Sequence, residues 1–151
     1  RVCKVDNKVK GYYWVFPLEY SIWNKIITGE MAEGDMVNHI KSFDEPNLYL
    51  YISSVIVDQT DKLHKKYTKA LVHDFGRRFV LGRNSDAPDI RAIGAFTISA
   101  SGRRLMKRAD FSYLGSFRAY GKEMKSWAID RQTLAQQTIS ARQQRQTKKI
   151  S

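Results

Sequence analysis

The spacing of apolar residues changes period several times along the chain, and each change marks an element. From Leu48 to Val57 the run LYLYISSVIV is almost unbroken, rich in β-branched and aromatic residues, with Ser53 and Ser54 as its polar breaks. It predicts a central strand buried on both faces. Asp58, Gln59, Thr60 and Asp61 then supply turn residues and an N-cap, after which Leu63, Tyr67, Leu71 and Phe75 recur every fourth position. That spacing predicts a helix over 60–79.

Upstream, two short β-like runs flank Asp6 and Asn7 and read as a hairpin. Pro17 is expected to stop the second strand and open a helix, because its fixed φ suits a first helical turn. Leu18, Ile22, Trp23, Ile26 and Ile27 keep helical spacing as far as Gly29, and this helix is expected to pack against the hairpin. A short helix from Asp35 through Ile40 follows. Downstream, 82–89 reads as a loop, 90–98 as a strand whose Gly94 permits a close approach, and Ser99-Ala100-Ser101-Gly102 as the cap before a short helix from Arg103 to Ala109. Two closing strands, 111–120 and 125–129, are linked by Gly121. Together these predict an α+β fold: a mainly antiparallel twisted sheet with helices packed on its faces.

Composition narrows the reading. With 151 residues, 42% of them hydrophobic, the chain suits one domain, assigned to 1–130, followed by a basic Gln/Arg/Lys-rich tail over 131–151 that is expected to be solvent-exposed. Arg at position 1 is expected of a fragment or a processed product. The balance of 26 Lys+Arg against 15 Asp+Glu, net +11, attracts polyanions such as nucleic acid, an anionic surface or a phosphorylated cofactor. The lone Cys3 excludes an intrachain disulfide and points to a reducing, cytoplasmic setting. No apolar run is long enough for a membrane-spanning helix.

Candidate chemistry is sparse. His39, His64 and His73 are scattered without ligand spacing, so no metal is expected. Lys62, Lys66, Lys69 and His73 share a helix face that reads equally as a phosphate site at a helix start or as a solvated surface. Tyr49, Tyr51, Tyr67 and Tyr113 stack on bases if exposed, although strand aromatics usually belong to a core. The stretch from Arg142 to Lys149 reads as a solvated terminus or a nucleic-acid contact.

Three stretches carry a resemblance: 11–30, beginning Gly-Tyr-Tyr-Trp-Val-Phe-Pro-Leu; 48–79; and 93–111, with Gly-Arg-Arg-Leu-Met-Lys-Arg-Ala-Asp-Phe at its end. In this order they resemble the GNAT superfamily of acyl-CoA N-acyltransferases, starting near that fold's second strand, so that its first strand and helices have no counterpart here. The resemblance implies an acyl-CoA co-substrate, acetyl-CoA or another, and a small-molecule or protein amine as acceptor. It places pantetheine along Val55, Ile56 and Val57, and the pyrophosphate beside Lys65, Lys66, Tyr67, Thr68 and Lys69. The glycines of the family's phosphate turn fall at Lys65 or Lys66 and at Tyr67 or Thr68, and no glycine lies between Gly34 and Gly76. Lys side chains would then replace main-chain contacts. The family's proton-donating tyrosine aligns with Met106, and its strand carboxylate with Ser53. Tyr113 and Glu45 are the candidate substitutes for acid and base. Two functions follow: an acyl-CoA-dependent N-acyltransferase, or a non-catalytic module of the same fold binding nucleic acid or an anionic protein partner.

Overall fold

The first two apolar runs close on Asp6 and Asn7, both at positive φ (48° and 59°), the backbone a tight hairpin turn demands. In this computed structural model, which describes residues 1–82, 87–137, 139 and 140, the hairpin pairs β1 (Val2–Val5) with β2 (Lys8–Leu18). Four further strands complete one sheet: β3 (Leu48–Val57), β4 (Ile90–Thr97), β5 (Ser112–Ala119) and β6 (Lys122–Asp130), in the order β1-β2-β3-β4-β6-β5. Every neighbouring pair is antiparallel except β3 and β4. That parallel pair needs a crossover, and α2 (His64–Phe75) supplies it. The α+β class and its mainly antiparallel sheet match the pattern read from the sequence.

Pro17 does not end β2. It pairs with Leu50, and the strand runs on to Leu18. Its carbonyl turns outward to accept the Lys41 N–H at 2.9 Å, so the side on which proline lacks an N–H faces away from β3. With β1 reaching no further than Tyr12, no ladder bond is lost there. Helix α1 (Tyr20–Thr28) therefore starts later and ends on Gly29 at φ 79°. Instead of packing on the hairpin, its buried Ile22, Trp23, Ile26 and Ile27 cross β3 and β4, sharing a cluster with Tyr51 and with Phe16 and Leu18 at the end of β2. Trp23 Nε1 donates to the Leu50 carbonyl at 3.1 Å, and Ser126 Oγ donates to the Ile27 carbonyl at 2.6 Å. The short helix expected from Asp35 is a 3₁₀ segment, Glu33–His39.

The helix predicted over 60–79 is shorter. Asp58 and Asp61 draw the preceding residues into turns, so α2 begins at His64, Leu63 is left exposed, and Tyr67 and Leu71 bury against Tyr13 and Val57. After Phe75 the chain takes a π-helical turn, Gly76–Val80, that carries Val80 into the core. Burial of β3 on both faces is likewise partial: Leu48, Leu50 and Tyr51 are buried, but Val55 and Ile56 are 40% and 50% exposed. Helix α3 (Ala100–Arg108) starts earlier than the expected Arg103, because Ser99 within the expected cap stretch is itself the N-cap, its Oγ accepting the Gly102 N–H at 3.0 Å. Met106 and Phe111 join the core beneath it. Residues 131–137 are helical, and Leu134 and Ala135 pack on the same cluster. Most of the loop expected over 82–89, namely 83–86, lies outside the described residues, as does the stretch from Arg142 to Lys149. No helix among the described residues is long and apolar enough to cross a membrane.

The close approach foreseen at Gly94 is made by α1. A Cβ there would overlap Ile27 Cδ1 and lie 2.9 Å from Trp23 Cζ2. Gly94→Ala is expected to destabilise the fold by about 1–3 kcal/mol, the cost of overpacking a filled core. Urea unfolding reads this directly, and a change indistinguishable from zero would show that α1 does not press on β4.

Candidate active site

The sheet opens where β3 and β4 part. Their parallel pairing runs from Leu48↔Ile90 to Ile52↔Ala95 and stops. On the other side β3 stays with β2, but Trp14 pairs with Ser54 and Val15 with Ile52, so Ser53 is an extra residue without a counterpart. Such a bulge bends the strand and increases its twist. From Ser53 to Val57 the edge of β3 that faced β4 carries no strand, and unpaired N–H and C=O groups along such an edge suit an extended ligand. This break explains why Val55 and Ile56 are exposed in a run that reads as continuous core.

Both helices that follow the parallel pair start at this end of it: α2 after β3 and α3 after β4. Both N-termini thus follow the carboxyl ends of the two parallel strands, the place where ligands sit in sheets of this kind. Lys65, Lys66 and Lys69 are exposed on α2, and Arg104 and Lys107 on α3. Two other residues expected at a phosphate turn to the chain itself. Tyr67 is buried against Tyr13 and Val57, and Thr68 turns its hydroxyl back to the His64 carbonyl at 3.0 Å.

The turn between β3 and α2 satisfies itself. Asp58 Oδ1 accepts from the Thr60 N–H at 3.1 Å and the Thr60 hydroxyl at 2.6 Å, and Asp61 Oδ1 accepts from the Leu63 N–H at 2.8 Å. Lys10 Nζ reaches across from β2 to Asp61 at 2.7 Å and Asp58 at 3.5 Å. The hydrogen bond from Lys10, then that from the Leu63 N–H, holds the Asp61 carboxyl below its ordinary range. The Thr60 hydroxyl and N–H do the same for Asp58, and Asp61 in turn raises Lys10. The Thr60 and Leu63 N–H groups are thus bound to the chain's own carboxylates, while those of Lys66 and Tyr67 donate to the Leu63 carbonyl at 2.8 and 3.2 Å.

Of the expected catalytic groups, only Ser53 lies at the opening, half-buried in the bulge. Tyr113 stands on β5 opposite Trp127, which pairs in turn with Ala95 of β4. Two strand spacings, about 10 Å, separate it from β4, and the Trp127 ring, 5.3 Å from its own, stands on the same face. Glu45 precedes β3, and the strand from Leu48 to Ser53 covers roughly 17 Å, so it lies at the far end. There it accepts the Ser42 N–H at 3.0 Å and pairs with Lys41 at 3.3 Å, contacts that lower its pKa and weaken it as a base. It lines a separate groove of about 550 Å³ with Glu19, Tyr20, Tyr49 and Arg91. Met106 is core.

One pair escaped the sequence reading. Tyr51, 1% exposed and across from Gly94 just before the parallel pairing ends, donates its hydroxyl to Glu33 Oε1. Burial, then the Glu33 carboxylate, pushes the tyrosine's pKa far up, so it stays a proton-bearing donor. The available signal was a phenol in a strand expected to be fully buried, since such a hydroxyl needs a partner. Nothing local marks Glu33 as that partner.

No family model matches the chain, and no curated protein sequence is similar to it. Solved structures do match. Arabidopsis thaliana NAA60 in complex with acetyl-CoA is 17% identical, with 84% of this chain and 70% of that one superposing at a TM-score of 0.51. An N-acetyltransferase from Staphylococcus aureus Mu50 is 12% identical, with 85% and 68% covered at 0.50. The chain thus has the fold of the GNAT N-acetyltransferases, at sequence distances where fold is what the likeness shows.

The depressed Asp58 and Asp61 pKa values stabilise the turn above the ordinary aspartate value of about 3.9, and this stabilisation is lost as pH falls through their lower folded values. The amide shifts of Thr60 and Leu63 are therefore expected to be flat near neutrality and to titrate below that value in an NMR pH series. Midpoints at or above it would contradict the arrangement.

Proposed function

We propose that the chain is an acyl-CoA-dependent N-acyltransferase, with acetyl-CoA as the simplest donor and an amine as acceptor. The observation that carries this is the break between β3 and β4 at the Ser53 bulge, in a fold shared with N-acetyltransferases. In this reading the donor's pantetheine arm pairs with the open edge of β3 along Val55, Ile56 and Val57, and its phosphates meet Lys65, Lys66 and Lys69. The acceptor nitrogen attacks the thioester carbonyl, the C–N bond forms, the C–S bond breaks, and sulfur leaves with the bonding pair. The proton shed by the nitrogen passes through water, and the thiolate takes one from solvent. With Met106 buried and Tyr113 two strands away, no side-chain acid is assigned, and rate enhancement rests on holding amine and thioester together.

A second reading, a non-catalytic module of the same fold binding nucleic acid or an anionic partner, is favoured by the self-satisfied turn at Asp58 and Asp61. Calorimetry with acetyl-CoA and thiol release over a panel of amines separate the two. Binding with turnover supports the first, and failure to bind acetyl-CoA removes it. Lys65→Ala with Lys66→Ala is expected to weaken acetyl-CoA binding roughly tenfold, the scale of a charge-assisted phosphate contact. Tyr113→Phe is expected to leave the maximal rate within about twofold, well short of the hundredfold or more that a lost general acid would remove.

A further inference from the structure

The sheet break is flanked on its two faces by different chemistry. Lys-bearing α2 and Arg-bearing α3 pack on one face, in the clusters of Tyr13, Val57 and Met106, whereas α1 and the 3₁₀ segment cover the other, in the cluster of Tyr51 and Met36. On that second face Tyr51 and Phe96 bracket the end of the parallel pairing, with ring centroids 5.4 Å apart, and Phe117 meets Phe96 edge-on at 4.9 Å. Glu33 is half-buried, tied down by the Tyr51 hydroxyl. In a chain of net charge +11, it takes part in none of the ion pairs found among the described residues, while Asp58, Asp61 and Asp74 are each engaged by Lys or Arg. A carboxylate fixed by one oxygen, beside aromatic rings, recognises an ammonium group through charge and ring faces.

We propose that Glu33 binds the ammonium group of the acceptor, a primary alkylamine or the amine of a cationic side chain, with Tyr51 as the positioning residue that aims its carboxylate at the sheet break. This rests on the acyltransferase reading for its use, in which the bound ammonium first gives one proton to water so that its nitrogen carries a lone pair for attack, but amine binding itself does not require a donor. Tyr51 fixes one carboxylate oxygen and leaves the other to the cation. The aromatic wall of Phe96 and Phe117 takes the alkyl carbons next to the charge and sets the preference for an amine on an apolar stem. Glu33 opens the 3₁₀ segment that follows α1, so the segment beside the helix over the sheet centre delivers the acceptor's counter-ion.

The test is an NMR titration with n-butylamine, against n-butanol as its neutral counterpart, in the presence and absence of acetyl-CoA. Butylamine is expected to shift the amides of Glu33, Tyr51 and Phe96 in both conditions, and butanol to bind at least tenfold more weakly. Glu33→Gln keeps an acceptor for the Tyr51 hydroxyl, so the fold is expected to melt as the parent does while butylamine affinity falls at least tenfold. Tyr51→Phe is expected to give a smaller loss, with the acceptor KM rising and the acetyl-CoA affinity unchanged wherever turnover is measurable. Butylamine binding that survives Glu33→Gln, or shifts confined to the groove of Glu19, Glu45 and Arg91, would overturn the assignment. Amine binding at Glu33 without acetyl-CoA binding would leave this site standing and remove the acyltransferase reading instead.

Discussion

The single parallel pairing in an otherwise antiparallel sheet is the constraint on which the rest depends. A parallel pair forces a crossover of a dozen or more residues, and α2 is that crossover. It also aligns the carboxyl ends of β3 and β4, so that two helix N-termini follow from the same end. The extra residue at Ser53 then bends β3 away while β2 keeps hold of it. A strand edge opens inside the sheet rather than at its margin. Every element of the proposed chemistry is placed by that break, with the donor along the strand edge, lysines beyond it on α2, and Glu33 across the sheet.

The turn after β3 is stabilised by the chain's own side chains. A glycine-rich turn leaves its N–H groups pointing outward and relies on a bound phosphate to satisfy them. Here Asp58, Asp61 and Lys10 complete the turn without a ligand, which orders the chain in the free protein and takes the Thr60 and Leu63 N–H groups from any phosphate. The lysines of α2 are flexible point charges and define a phosphate's position less sharply than a cradle of amides. The two functional readings diverge at this turn.

Much of the fold was legible because periodicity and turn chemistry agreed. The Asp6-Asn7 hairpin, the apolar run of β3, the Ser99 cap and the Gly121 connection each follow from local residue preferences that tertiary structure had no reason to override. Pro17 misled because its meaning depends on which strand edge it faces, and that is set by how far β1 extends. The late start of α2 depended on side-chain hydrogen bonds from Asp58 and Asp61 that a spacing rule does not contain. The site was less legible still. Val55 and Ile56 lie at the opening because they follow the break along the chain, whereas Glu45 was placed by adjacency to the wrong end of the same strand. Glu33 and Tyr51 are 18 positions apart and meet only through the packing of α1 over the sheet.

The claim that the β3 edge at the Ser53 bulge receives the acyl donor is tested most directly by backbone hydrogen exchange, measured residue by residue with and without saturating acetyl-CoA. The account predicts slowed exchange among the amides of 53–57, with little change in the β1–β2 hairpin. Unaltered exchange over 53–57 with new protection elsewhere, for example around Tyr49 and Arg91, would contradict it.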